Sequence, residues 1–89
     1  MSMRMKRNQY VRAFVAARNT ERRYDKAEEQ WQRWLQRIDL ARLAGKPELA
    51  RIARRQALRS AETAIAMQSL LRAQLAEVDY LADDIRCRR

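Results

Sequence analysis

The stretch that decides the fold reads LARLAGKPELARIARR and covers residues 40–55. It contains the only glycine and the only proline of the 89-residue chain, Gly45 and Pro47. Glycine is preferred just after the last residue of a helix, where the backbone takes a positive φ. Proline is preferred in the first turn of a helix, where its missing N–H is not needed. The stretch therefore predicts that one helix ends and a second begins here, with a turn at residues 45–46.

The composition favours helices on both sides of this turn. A chain with one glycine and one proline lacks the residues that β-turns and β-hairpins need. Hydrophobic residues make up 47% and charged residues 35% of the sequence, and the two kinds are interspersed, as in long surface helices. We expect an all-α protein with a single domain over residues 1–89, with helices at about 4–44 and about 47–86.

Each half of the chain has an apolar residue at every seventh position, with further apolar residues between them. In the first half the seventh-position residues are Met3, Tyr10, Ala17, Tyr24, Trp31 and Ile38. In the second half they are Ala50, Ala57, Ala64, Leu71, Val78 and Ile85, accompanied by Ala53, Ala61, Met67, Leu75 and Leu81. A seven-residue period is typical of a left-handed coiled coil. Because a short connection forces neighbouring helices antiparallel, the pattern predicts a coiled-coil hairpin of two long antiparallel helices.

The position of the turn also predicts which residues of the two helices meet. Folding the chain about residue 46 places residue i opposite about residue 92 − i. Trp31 then faces Ala61, and Phe14 faces Val78. At the open end, four basic residues fall beside four acidic ones: Arg4, Lys6, Arg7 and Arg12 beside Glu77, Asp79, Asp83 and Asp84. Large residues opposite small ones, and cations opposite anions, support this register.

The second helix is apolar over a wider sector than one neighbouring helix covers. We therefore expect the hairpin to self-associate into an antiparallel homodimer, which forms a four-helix bundle. Packing onto another protein is the alternative. The candidate self-association face consists of Leu58, Ile65, Leu71, Leu75 and Val78.

The net charge is +9, and much of it lies near the turn. Arg51, Arg55 and Arg59 repeat at intervals of four, so like charges are neighbours near the beginning of the second helix, where the helix dipole favours anions. We expect this tip to bind an acidic protein surface or another anion, and the alternative is that its side chains are only solvated. The candidate residues are Arg42, Lys46, Arg51, Arg54, Arg55 and Arg59.

The sequence carries no catalytic signature. It contains no histidine, which excludes Ser-His-Asp and Cys-His catalysis and imidazole zinc sites. A single glycine cannot form a phosphate-binding loop. Asp25, Glu28 and Glu29 share one helical face, which is typical of a solvated surface paired along the helix. We expect no enzyme activity, no cofactor and no metal site.

Cysteine and hydropathy patterns bear on the compartment. Cys87 is the only cysteine, so we expect a reduced thiol and a cytoplasmic protein. No apolar run reaches the roughly 18 residues of a membrane span. The N-terminal stretch is basic and amphipathic, but the acidic residues at 77–84 lie where they neutralise it, so we do not expect contact with a membrane surface.

Residues around the turn also match a known pattern: a tryptophan on the first arm, alanines, a glycine near the tip and the letters ELAR opening the second arm. These residues are Trp34, Ala41, Ala44, Gly45, Glu48, Leu49, Ala50 and Arg51. Over about residues 27–76 the sequence resembles the central helical hairpin of the phage-shock protein A family, which includes vesicle-inducing proteins of plastids and cyanobacteria. The resemblance implies a self-assembling scaffold, and it transfers no functional residues because that hairpin contributes packing and assembly.

Two classes of function fit these observations. The first is a non-catalytic, self-associating coiled-coil hairpin that acts as a protein-interaction or scaffold module, with a basic tip for an acidic partner. The alternative is a nucleic-acid-associated protein that binds through phosphate contacts without regard to sequence. Steep weakening of binding with salt would mark the second class.

Overall fold

A computed structural model describes residues 3–87 of the chain as two α-helices. Helix α1 covers Met3–Leu43 and helix α2 covers Pro47–Cys87, each with 41 residues. The helices pack side by side along their whole length, and the molecule measures 66 × 14 × 14 Å. The predicted all-α fold of two long antiparallel helices is confirmed.

The end of α1 is a Schellman motif, the helix ending in which a left-handed residue redirects the last hydrogen bonds. Gly45 has a φ of 67°, as its predicted position after the helix requires. The Gly45 N–H donates to the carbonyl of Arg42 at 3.0 Å, and the Lys46 N–H donates to the carbonyl of Ala41 at 2.9 Å. These two bonds satisfy carbonyls that the helix itself leaves unpaired.

Helix α2 begins immediately after this motif. The carbonyl of Lys46 accepts a bond from the N–H of Ala50 at 3.1 Å, which makes Lys46 the N-cap residue. Pro47 is the first helical residue, as predicted, where its lack of an N–H costs nothing. Glu48 follows in the first turn and interacts favourably with the positive end of the helix dipole.

The helices meet along a seam, defined here as the heptad a and d positions that alternate at steps of three and four. Every seam residue is buried or half-buried. On α1 the seam consists of Met3, Lys6, Tyr10, Ala13, Ala17, Thr20, Tyr24, Ala27, Trp31, Trp34, Ile38 and Ala41. On α2 it consists of Ala50, Ala53, Ala57, Ser60, Ala64, Met67, Leu71, Gln74, Val78, Leu81 and Ile85. The unbroken alternation is that of a two-stranded coiled coil.

Small residues dominate the buried part of this seam. Its buried apolar residues are seven alanines with Val78 and Leu81. The two tryptophans of α1 lie beside alanines of α2. Trp31 lines the same groove as Ala61 and Ala64, in agreement with the predicted register, and Trp34 lines the same groove as Ala53. A large ring against a small side chain allows two helices to pack closely without voids.

Two polar residues of α2 occupy seam positions that the sequence analysis gave to apolar neighbours. Ser60 and Gln74 lie in the seam, whereas the expected Leu75 is 46% exposed. The geometric reason is that position 74 follows Leu71 by three residues, and the strict alternation of a coiled coil requires this step. Heptad geometry therefore outweighs the polarity of a single side chain.

The sequence pairs Phe14 with Val78, whereas the α1 residues buried in the cluster with Val78 are Ala13 and Ala17. Phe14 is 47% exposed, and Val78 packs in a cluster with Ala13, Ala17 and Leu81. Position 13, not 14, continues the seam, and the Phe14 ring lies beside the helix, 6.3 Å from the ring of Tyr10.

The open end of the hairpin is held by charge as well as by packing. The ammonium group of Lys6 forms an ion pair and hydrogen bond with the carboxylate of Asp84, and both side chains are partly buried. Lys6 occupies a seam position, so its aliphatic stem packs between the helices while its charged end reaches the carboxylate. This pair lies where the sequence predicted basic and acidic residues to meet.

The turn makes a direct prediction for Gly45. A Cβ added to Gly45 meets no atom within 4 Å, so Gly45→Ala has only backbone strain to accommodate. We expect it to lower the free energy of unfolding by about 1 kcal/mol, the typical cost of a left-handed conformation in an alanine. Gly45→Asn should lose less, because asparagine tolerates this conformation. Urea unfolding monitored by circular dichroism measures the free energy of unfolding of both variants. An unchanged free energy of unfolding for Gly45→Ala would contradict the Schellman motif.

The seam makes a second prediction for Gln74, whose buried side-chain oxygen has no hydrogen-bond partner among the described residues. Gln74→Leu removes this unpaired oxygen and should raise the free energy of unfolding by about 1–2 kcal/mol. Gln36→Leu is the matched control because Gln36 is fully outside the seam. Thermal and urea unfolding at one protein concentration compare them. Equal changes in the free energy of unfolding for the two substitutions would contradict this explanation.

Candidate interaction surfaces

Large apolar side chains lie mostly on the outside of the hairpin. The accessible surface is 7127 Å², whereas a compact monomer of this mass exposes about 5,500 Å². The exposed large apolar residues include Val11, Phe14, Val15, Leu35, Leu40, Leu43, Leu49, Ile52, Leu58, Ile65, Leu70, Leu75 and Tyr80. The excess surface is larger than the roughly 800 Å² that each partner buries in a standard protein interface.

The hairpin has two lateral sides, one on each side of the seam. With Tyr10 of α1 and Ala50 of α2 as position a, one side carries the heptad e and b positions of both helices, and the other carries the g and c positions. Grooves between the helices confirm this division: Glu28, Ala61 and Gln68 line a groove on the first side, and Arg37 and Leu49 line one on the second. The exposed apolar residues of α2 divide between these two sides.

The first side carries a stripe along α2 that is apolar except for one glutamine, and it is defined as Leu58, Ala61, Ile65, Gln68 and Leu75. Leu58 is 61% exposed, Ile65 68% and Leu75 46%. These residues follow one another at steps of three and four except at position 72, where an arginine interrupts them. Stripes with this spacing are the kind that pack against another helix.

A groove of about 240 Å³ lies beside the stripe, and its lining residues from α1 are Tyr24, Glu28 and Trp31. Partial desolvation raises the pKa of the Tyr24 phenol above its ordinary value. The negative charge of Glu28 and a hydrogen bond to its carboxylate raise this pKa further. The phenol is therefore neutral at pH 7.

Two residues of the predicted self-association face lie in the seam instead. Val78 is buried against α1, and Leu71 packs on the same cluster. Both occupy seam positions that face α1, which buries Val78 and covers part of Leu71. The remaining predicted residues, Leu58, Ile65 and Leu75, are those of the stripe.

The second side carries a groove at the tip, named here the tip groove, with a volume of about 350 Å³. Its lining residues are Trp34, Arg37, Leu40, Ala41, Ala44, Lys46, Leu49, Ile52 and Ala53. The guanidinium of Arg37 lies over the Trp34 ring, 4.4 Å from the ring centroid, in a cation–π contact. Leu40, Leu49 and Ile52 are each at least half exposed around the half-buried Trp34.

A second groove continues on the same side towards the middle of the hairpin, and we name it the middle groove. It has a volume of about 400 Å³ and is lined by Arg23, Lys26, Ala27, Gln30, Arg59, Ser60 and Thr63. Among the described residues, no aspartate or glutamate lines either groove. Along these two grooves the second side is therefore apolar at the tip, polar in the middle and cationic in both parts.

The six predicted tip residues are all exposed, but they do not form one site. Lys46 lines the tip groove, and Arg59 lines the middle groove. Arg42 and Arg54 occupy e positions on the opposite side, and Arg55 is on the outer surface of α2, away from α1. Arg51 forms an ion pair with Glu48, with 3.3 Å between the charged atoms.

The sequence analysis did not identify the contact between Trp34 and Arg37 or the groove that these residues line. The signal for their contact was the spacing of three, which places both side chains on one helical face.

Two further features were sought in the part of the chain that the structure describes, a metal-binding cluster and a membrane-spanning helix. Within residues 3–87, no three His, Cys, Asp or Glu side chains are grouped closely enough to hold a metal ion. Neither helix has a sufficiently long and apolar segment to cross a membrane.

Comparison with known proteins gives no relative: no family model matches the chain, and no curated protein or solved structure is significantly similar to it.

The division between seam and stripe predicts different costs for two truncations on α2. Val78→Ala should lower the free energy of unfolding by about 2 kcal/mol, because it removes buried apolar volume. Leu75→Ala should change it by less than about 0.5 kcal/mol, as expected for an exposed position. Urea unfolding at the lowest practical protein concentration separates these effects from self-association. A larger loss for Leu75→Ala would reverse our assignment of the two residues.

Proposed function

We propose that this protein is a non-catalytic, self-associating helical hairpin that acts as a protein-interaction or scaffold module. The observation that carries the proposal is the inverted distribution of apolar residues. Alanines fill the seam, while Leu58, Ile65 and Leu75 form a stripe that α1 does not cover. An uncovered apolar stripe at helical spacing is characteristic of a helix that packs against a further helix.

The residues along α2 support an antiparallel pairing of two copies. A two-fold axis between residues 66 and 67 places Leu58 opposite Leu75 of the partner subunit. The same axis places Ile65 opposite Gln68 of the partner subunit and Arg54 opposite Asp79 of the partner subunit. A surface that complements itself in this way is what an isologous dimer requires. The product is the four-helix bundle expected from the sequence, with the two tips at opposite ends.

The basic tip is the proposed contact for an acidic partner, and its excess of positive charge supports this role. We place the module in the cytoplasm on the basis of its single exposed cysteine, Cys87. Assembly into large scaffolds, as in the phage-shock protein A family, is the further expectation of the resemblance over residues 27–76.

The first test is the absolute mass in solution, measured by light scattering after size exclusion. We expect a discrete dimer for the wild-type protein and a monomer for Ile65→Glu, because a carboxylate in the stripe cannot be buried against a partner. Ile52→Glu is the matched control: it changes the same residue type on the same helix, but on the other side of the hairpin. It should remain dimeric. A monomeric wild-type protein refutes self-association.

A charge exchange tests the proposed register. Arg54→Glu should weaken the dimer, and Arg54→Glu combined with Asp79→Arg should restore it, because the pair is re-formed with its charges exchanged. No recovery in the double variant contradicts the register but not self-association itself. The ratio of absorbance at 260 and 280 nm on the same peak reports bound nucleic acid, the alternative partner class.

A further inference from the structure

We infer that the tip groove and the middle groove together form one docking site for an amphipathic acidic helix of a partner protein. The inference deepens the proposed function, on which it rests, by naming the side of the hairpin that the acidic partner contacts. It uses residues on the side away from the stripe, so both surfaces can be occupied at once.

The two grooves follow one another along the same side of the hairpin. The α1 residues that line the middle groove are centred near Lys26, and those that line the tip groove are centred near Leu40. At 1.5 Å per residue these positions are separated by about 21 Å, the length of a helix of about four turns. A third helix can pack into the depression between two helices that lie side by side. The dimensions therefore fit one helical segment.

The tip groove supplies the apolar contacts for such a segment. Leu40 is 65% exposed, Leu49 52% and Ile52 50%, and together they surround Trp34. Leucine-type residues of a partner helix at steps of three and four would cover them, the mode by which amphipathic helices bind hydrophobic grooves. Trp34 has the residue type that most often dominates binding energy at the centre of an interface.

The charges of both grooves define the rest of the partner. Cations line the site along its length: Arg23, Lys26, Arg37, Lys46 and Arg59. Within residues 3–87, none of these cations has a carboxylate within ion-pair distance. Aspartate and glutamate beside the leucines of the partner helix would provide those carboxylates. The structure thus favours a segment that is leucine-rich where it meets the tip and acidic towards the middle of the hairpin.

The apolar tip distinguishes this partner from nucleic acid. Phosphate backbones match the cations but have no aliphatic groups to cover Leu40, Leu49 and Ile52. Binding through phosphates alone would leave these side chains in water and would not depend on them.

The probe for the experiment is a fluorescein-labelled helical peptide of about 16 residues. Its leucines lie on one face of the helix, and its glutamates lie beside them. Fluorescence anisotropy measures its affinity for the full chain. We expect Ile52→Glu, in the tip groove, and Arg59→Glu, in the middle groove, each to weaken binding by about tenfold or more. Both residues are exposed, so we expect the variants to remain helical, and circular dichroism checks this. Ile65→Glu, on the stripe, is the matched control and should bind with unchanged affinity.

Two further peptides test the chemistry. Replacing the glutamates by lysine should abolish binding through charge repulsion, and replacing the leucines by serine should weaken it by about tenfold or more. The inference is overturned by no measurable binding of the leucine–glutamate peptide, by equal binding to Ile52→Glu, or by equal binding of the serine peptide. It is also overturned if a short DNA duplex binds with an affinity that Ile52→Glu leaves unchanged while the peptide does not bind.

The same samples keep this inference apart from self-association. Peptide binding by a monomeric wild-type protein would support the docking site while refuting the proposed dimer. A stable dimer that ignores the peptide would do the reverse.

Discussion

The structure depends on the close packing of alanines along the seam between the two helices. Each buried alanine contributes little apolar area, so the stability of this contact comes from its regular repetition along about 60 Å rather than from any large residue. Pairing alanines of one helix with the aromatic rings of the other keeps the seam filled. With alanine at most of the buried positions, most of the leucines and isoleucines lie outside the seam. The surfaces proposed for binding follow directly from the composition of the core.

These lateral sides differ in chemistry although they belong to the same two helices. One side presents the stripe of Leu58, Ile65 and Leu75, and the other presents a tryptophan-centred groove with only cationic charges. A two-helix molecule has no deep interior in which to build a site, so its specificity must reside in such faces. An antiparallel dimer through the stripe would carry its two tip grooves at opposite ends of a rod. The separation of two bound partners would then be set by the length of the hairpin.

The sequence predicts the backbone well and the side-chain surfaces only in part. Gly45 and Pro47 define the turn because each has one structural role there, and the heptad pattern defines the helices and their register. The sequence did not show that Gln74, rather than Leu75, lies in the seam, because polarity and periodicity disagree at that position. Leu71 and Val78 were assigned to an outer face for a related reason: both sides of an apolar sector look alike until the facing helix is placed. The contact between Trp34 and Arg37 depends on rotamers, which a residue pattern does not specify.

The single turn also determines how the molecule opens. Contacts near Gly45 join residues that are close in the chain, whereas Lys6 and Asp84 are 78 residues apart in sequence. Once one pair has formed, the next pair towards the open end closes a loop of only a few residues, so forming it costs less entropy than joining the two ends directly. These costs favour folding that starts at the turn and local opening that starts at the other end. The ion pair between Lys6 and Asp84 acts as a clasp at the place where fraying begins.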